Sequence, residues 1–255
     1  MNSSEIFNLD GKTALITGSA RGLGREIAIG LAHSGCSLVL ADLIDPEETA
    51  KKVAETGSRC ICVRGDVSAE EDVEKMVQQA ISEFGKLDIL VNNAGISQLS
   101  YIATEELPVG EWDKIMAVNL KGTFLCCKHA GKEMIRCGGG SIINIASTAG
   151  ITGVVRAPAY CASKAGTILL TKSLALEWAR HQIRVNAIAP HYLETELTKG
   201  LRTSEKVFNA LVKQIPMRRF AKPAEIVGTV LYLASPASSY TTGMVIAADG
   251  GYLAQ

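Results

Sequence analysis

The feature that most constrains this chain is its alternation of short apolar runs with longer amphipathic ones. Lys12–Thr17 reads as a buried strand, and Arg21–His33 follows with Leu23, Ile27 and Leu31 at helical spacing. The exchange recurs through strands at Cys36–Ala41, Arg59–Arg64, Leu87–Val91, Ser141–Ser147, Ile183–Ala189 and Met244–Ala248. Between them, helical patterns run over Pro46–Glu55, Ala69–Phe84, Trp112–Cys137, Ala159–Arg180 and Pro223–Ala234. Strands buried on both faces alternate with helices when each helix carries the chain back over a parallel sheet. The pattern predicts an α/β fold. Its form is three-layered, doubly wound and Rossmann-type, with a seven-stranded, mainly parallel sheet and helices on both faces. No polar linker divides the 255 residues, so one domain over 1–255 is expected. The stretch 191–216 is long for a connection and carries its own helical pattern, which predicts a lid over a site.

Charge and cysteine content narrow the function classes. Lys plus Arg and Asp plus Glu number 26 each, so the formal net charge is zero. That balance speaks against a nucleic-acid footprint and against a charge-driven membrane surface. Met1–Gly11 carries Glu5 and Asp10 and no apolar run, so no signal peptide is expected there. No run reaches the roughly 18 apolar residues of a membrane span. The seven cysteines are odd in number and show no C-x-x-C. Free thiols in a reducing, cytoplasmic setting are expected, with no metal site.

The turn after the first strand, Thr17–Gly24, reads TGSARGLG. Gly18 can close a tight turn, and Gly22 and Gly24 let strand, loop and helix approach closely. A pyrophosphate can then lie on the helix N-terminus beside Arg21, Gly22 and Leu23. The spacing is G-x-x-x-G-x-G rather than G-x-G-x-x-G. Asp42 ends the second strand, where a carboxylate can hold the adenosine ribose hydroxyls and repel a 2′-phosphate. NAD is therefore expected over NADP.

Tyr160 and Lys164 lie four residues apart on one predicted helix face. An ammonium beside a phenol lowers the phenol pKa, which suits a group that gives or takes a proton. Ser147 ends a predicted strand, at the sheet edge where α/β folds bind ligands. A hydroxyl there can hold a substrate oxygen. Asn119 lies on an earlier helix, and Asn92–Gly95 (NNAG) follows the fourth strand at the same edge.

Together, TGxxxGxG at Thr17–Gly24, NNAG, Asn119, Ser147 and Tyr160-x-x-x-Lys164 resemble the short-chain dehydrogenase/reductase family, from Gly11 to Gly251. The resemblance implies an NAD(P)-dependent interconversion of a secondary alcohol and a ketone. It implies Tyr160 as general acid/base, with Lys164 lowering its pKa and binding the nicotinamide ribose. Ser147 would orient the substrate carbonyl, and Asn119 would link Lys164 to a proton relay. Gly18, Gly22, Gly24, Asp66, Val67, Asn93, Leu193 and Thr195 match cofactor contacts. Sugars, sugar acids and 3-oxoacyl thioesters are the substrate classes implied, and a homotetramer is the assembly. A non-catalytic cofactor-binding protein on the same fold is the alternative.

One departure stands out: Pro190-His191 occupies the place where the family usually has Pro-Gly. His191 is either a tolerated replacement facing solvent or a substrate contact. Arg156, in the loop after Ser147, is a candidate anchor for a substrate carboxylate.

Overall fold

The computed structural model describes residues 6–98 and 101–255. The strands are β1 (Thr13–Thr17), β2 (Ser37–Asp42), β3 (Cys60–Arg64), β4 (Ile89–Asn92), β5 (Gly140–Ile145), β6 (Ile183–Pro190) and β7 (Val245–Ala248). They form one seven-stranded sheet in the order β3-β2-β1-β4-β5-β6-β7, and every neighbouring pair is parallel. The chain runs outward from β1 to β3, then returns to place β4 on the other side of β1. The carboxyl ends of β1 and β4 therefore flank the point where the winding reverses, and loops splay apart there into a crevice.

The helices divide between the two faces as strand periodicity dictates. Ala14, Ile16, Leu38, Leu40 and Val91 point to one side and meet α1 (Gly22–His33), α2 (Glu47–Ala54) and α9 (Ala224–Ala234) through Leu23, Ile27, Val53, Ile226 and Val230. Leu15, Val39, Leu90, Ile142 and Val185 point to the other. They meet α3 (Glu70–Phe84), α5 (Gly122–Cys137) and α6 (Pro158–Trp178) through Val73, Met76, Cys126, Met134 and Trp178. Each fully buried Leu, Ile or Val contributes on the order of 1.5–3 kcal/mol, so both layers are held mainly by this interdigitation. Gly131 lets α5 and α6 close on each other. A Cβ there would stand 2.6 Å from the Trp178 ring.

The expected long helix over Trp112–Cys137 begins earlier and is interrupted. α4 (Val109–Met116) passes into a π-helical turn, Ala117–Lys121, before α5. Such one-turn bulges re-aim side chains within a helix, and this one carries Asn119. The segment 191–216 holds a 3-10 turn, Glu196–Thr198, and the helices α7 (Lys199–Arg202) and α8 (Glu205–Lys213). Among the described residues, no helix is long and apolar enough to cross a membrane.

Candidate active site

The glycine loop and the NNAG loop are bound into one unit. Gly18 and Gly22 adopt positive φ, +66° and +57°. A Cβ on Gly18 would come within 2.8 Å of Ala94 Cα, and one on Gly24 would overlap the Gly18 carbonyl oxygen. Side chains are excluded at both positions. Asn93 Nδ2 donates to the carbonyls of Thr17 (3.0 Å) and Gly18 (2.9 Å). Thr17 Oγ1 accepts from the Asn93 and Ala94 amides, both at 3.1 Å. The α1 N-terminus has no side-chain cap and no acid in its first turn. Its leading amides are thus open to an anion. A shaped glycine cradle with uncapped donors fits a dinucleotide pyrophosphate.

The other residues expected to hold a cofactor line the same edge, but several are engaged in building it. Leu23 is buried in the core, so only its backbone can face a phosphate, while Arg21 is exposed. Asp42 accepts from the Ala20 amide (2.8 Å) and the Ile44 amide (3.1 Å), pinning the glycine loop to the end of β2. Asp66 Oδ1 accepts from the Ser68 amide and hydroxyl, both at 2.8 Å, and holds its own turn. Val67 packs at the start of α5, 2.9 Å from where a Gly122 Cβ would stand. Leu193 is buried and bridges Ala221. The Thr195 methyl lies 3.6 Å from the position of a Gly22 Cβ, so the start of 191–216 reaches the glycine loop.

Ser147, Tyr160, Lys164 and Asn119 converge beside this edge. Ser147 lies two residues beyond β5, and its hydroxyl hydrogen-bonds Tyr160. Lys164 is 5% exposed, donates to the Ile145 carbonyl (2.8 Å), and its Nζ stands 5.8 Å from the Tyr160 ring centre. Asn119 accepts from the Ile96 amide (2.8 Å) and donates to the Ile96 carbonyl (2.9 Å) and to Ser163 Oγ (3.1 Å). Gly95 separates Asn119 from Lys164. A Cβ on it would lie 3.3 Å from Asn119 Oδ1 and 3.6 Å from Lys164 Nζ, so the glycine lets the two polar groups approach.

The electrostatics differ from the expectation that Lys164 holds the phenol low. Burial pushes Tyr160 up to about 12, with the Ser147 hydrogen bond pulling the other way. Burial pushes Lys164 down to about 8. The dominant effect at both groups is loss of water, which favours the neutral forms.

His191 does not face bulk water as a solvent-exposed replacement would. Its Nδ1 pairs with Thr148 Oγ1 at 2.7 Å, and its ring stacks on Tyr252 with centres 3.9 Å apart. Nε2 is buried and has no protein partner among the described residues. Burial pushes the imidazole down to about 4. Arg156 is exposed at a left-handed φ of +61°, and its carbonyl accepts from Gln98 Nε2 at 2.9 Å.

Sequence reasoning missed Thr17, Thr148, Ser163, Tyr192 and Tyr252. Ser163, Thr167 and Thr171 do carry a signal, hydroxyls every four residues on one helix face. All three are buried in α6, where Ser163 supports Asn119 and Thr171 accepts from Asn144 Nδ2 at 2.9 Å.

A parallel doubly wound sheet, a glycine cradle at the winding reversal and a Ser-Tyr-Lys-Asn cluster beside it define a nicotinamide-dependent dehydrogenase scaffold. The chain belongs to the short-chain dehydrogenase/reductase family. The family model described as enoyl-(acyl carrier protein) reductase matches residues 18–253. The 2-dehydro-3-deoxy-D-gluconate 5-dehydrogenase of Dickeya dadantii (strain 3937) is 42% identical, covering 98% of both chains. The NAD-dependent glycerol dehydrogenase of Listeria innocua serovar 6a is 40% identical over 96% of this chain and 95% of its own. Among solved structures, a gluconate 5-dehydrogenase from Burkholderia cenocepacia J2315 in complex with NADP and tartrate superposes with a TM-score of 0.94 at 34% identity, covering 100% of both chains. These relatives are named as dehydrogenases of CH–OH groups, and both cofactors occur among them.

Proposed function

We propose that the chain interconverts a secondary alcohol and a ketone with a nicotinamide cofactor. The observation that carries this reading is the convergence of Tyr160, Ser147, Lys164 and Asn119 beside the glycine cradle. The cofactor supplies the hydride acceptor or donor when bound. The residues that would hold it are Gly18, Arg21, Gly22, Leu23, Gly24, Asp42, Asp66, Val67, Asn93, Leu193 and Thr195, with Tyr160 and Lys164 at its reactive end.

Tyr160 is the proton carrier. Its high pKa keeps the phenol protonated at neutral pH, ready to give a proton to an oxygen that becomes an alkoxide during reduction. Ser147 shares a hydrogen bond with Tyr160 and is placed to orient the same substrate oxygen. Lys164, once protonated, stabilises the phenolate left behind. Asn119 holds the backbone at Ile96 and sets the edge against which Lys164 is positioned. The resulting sign is simple. Reduction consumes a proton that Tyr160 already holds, so its rate should be level across neutral pH. Oxidation must remove that proton, so its rate should climb toward alkaline pH.

Asp42 supports a preference for NAD, because its carboxylate stands at the ribose end of β2, where a 2′-phosphate would meet like charge. The segment 191–216 serves as the lid, since Thr195 reaches Gly22 from across the crevice. Exposed Trp112, Phe124, Ile135, Leu169 and Leu176 on α4, α5 and α6 support burial of these helices in a homotetramer. The seven unpaired thiols fit a cytoplasmic setting.

The test is Tyr160→Phe. Turnover should fall by roughly 1,000-fold or more while cofactor affinity, read by fluorescence titration, stays within a few-fold. Retained turnover would overturn the assignment.

A further inference from the structure

Several of the relatives are named for sugar acids, and one is solved with tartrate. The pocket beside Tyr160 has a different character here. The ionisable groups acting on Tyr160 are Tyr101, Cys161 and Tyr192, and those acting on Tyr192 are Tyr101 and Tyr252. Phenols therefore surround the reacting hydroxyl. Tyr252 stacks on His191, and His191 packs against Tyr192 with ring centres 4.3 Å apart. The cavity of about 430 Å³ on the far side of Tyr252 is lined by Thr152, Gln214, Tyr252, Leu253 and Gln255, none with a charged side chain.

Building on the oxidoreductase reading of Tyr160, we infer that this pocket takes an uncharged, hydroxyl-bearing substrate and discriminates against carboxylates. Among the described residues, no Lys or Arg figures among the charges acting on Tyr160, Tyr192 or His191. Lys164 lies under the Tyr160 ring, engaged with the Ile145 carbonyl. Arg156 is exposed and acts on none of the three. The charge that does reach His191 is negative. It comes from Asp249, whose carboxylate also accepts from the Gly251 (2.9 Å) and Leu253 (2.8 Å) amides. His191 itself is neutral at physiological pH and presents no cation.

A carboxylate entering such a wall loses its water and gains no opposite charge, which is costly. A neutral hydroxyl exchanges one hydrogen bond for another at near parity. Buried Nε2 of His191, the Thr152 hydroxyl and the Gln214 amide offer that exchange. Ring faces of Tyr192 and Tyr252 suit the C–H surface of a polyol or a cyclic alcohol.

The experiment compares matched pairs of equal chain length, ribitol with ribonate and glycerol with glycerate, using NAD and NADP. The neutral member of each pair should show kcat/KM at least ~10-fold higher. An equal or higher value for the aldonates overturns the inference. The same pairs are compared by thermal shift on cofactor-loaded Tyr160→Phe, which reports binding without turnover. Larger stabilisation by the alditols supports the inference; larger stabilisation by the aldonates, or none by either, overturns it. Were the parent protein to oxidise nothing, the oxidoreductase reading would fail, while the binding comparison would still decide the substrate class.

Discussion

On the cofactor side of the crevice, backbone carbonyls and amides are tied by short polar side chains. Asn93, Thr17 and Asp42 each hold two main-chain groups, and glycines remove every Cβ that would intrude. On the substrate side, the wall is a run of rings. Tyr252, His191, Tyr192, Phe220 and Phe208 contact one another in sequence, with centres 3.9 to 5.0 Å apart. One wall is specified by hydrogen-bond geometry, the other by packing among segments distant in sequence. The difference teaches that the first tolerates almost no substitution, whereas the second can be re-cut without undoing the fold. That suits a scaffold whose relatives act on varied alcohols.

Substitutions can break this contrast. The largest effect is expected at Gly24→Ala, because the added methyl meets the Gly18 carbonyl. Cofactor affinity should fall by ~100-fold or more, or stability by roughly 3 kcal/mol, and calorimetric titration with thermal melts separates the two. A mild effect would mean that the cradle is softer than its contacts imply.

His191 comes next. Its folded pKa of about 4 lies below the ordinary value of 6.5, so the unfolded chain binds the extra proton first as pH falls. The folded state should lose stability between pH 6.5 and 4, and this share should level off below 4. His191→Asn should remove roughly 2 kcal/mol of that acid limb in melts across pH, relative to the parent protein. An unchanged limb would show that the ring is not held neutral by burial.

Asp42→Ala should relax the NAD preference by about tenfold and cost about 1 kcal/mol from the loosened Ala20 and Ile44 amides. The ratio of kcat/KM for the two cofactors and a thermal melt check both parts. Thr148→Val should have the smallest effect, about 1 kcal/mol from the lost partner of His191, with the cofactor side unmoved.

The same contrast explains what could be read from the sequence. Strand and helix positions follow from periodicity, because a parallel sheet buries near-continuous apolar runs, and both faces of β1 and β2 are spelled out residue by residue. The motif residues on the cofactor side are close in sequence to the elements they join, so spacing alone brought Tyr160, Lys164 and Ser147 together. The π-helical turn carrying Asn119 has no such signature, since its sequence suits an ordinary helix. Nor could Tyr252 be foreseen beside His191. That stack depends on the turn after β7 folding back across the sheet edge, held by Asp249. The expected lowering of the Tyr160 phenol by Lys164 failed for a related reason, because helical spacing gives distance but not burial.

The central claim is hydride transfer coupled to proton transfer at Tyr160. The most direct measurement follows nicotinamide absorbance while the parent protein and Tyr160→Phe are incubated with NAD or NADP and a panel of secondary alcohols and ketones. The account predicts cofactor turnover by the parent with at least one secondary alcohol, faster at alkaline pH, and its loss in Tyr160→Phe. Cofactor binding by both proteins with no turnover by either would contradict it.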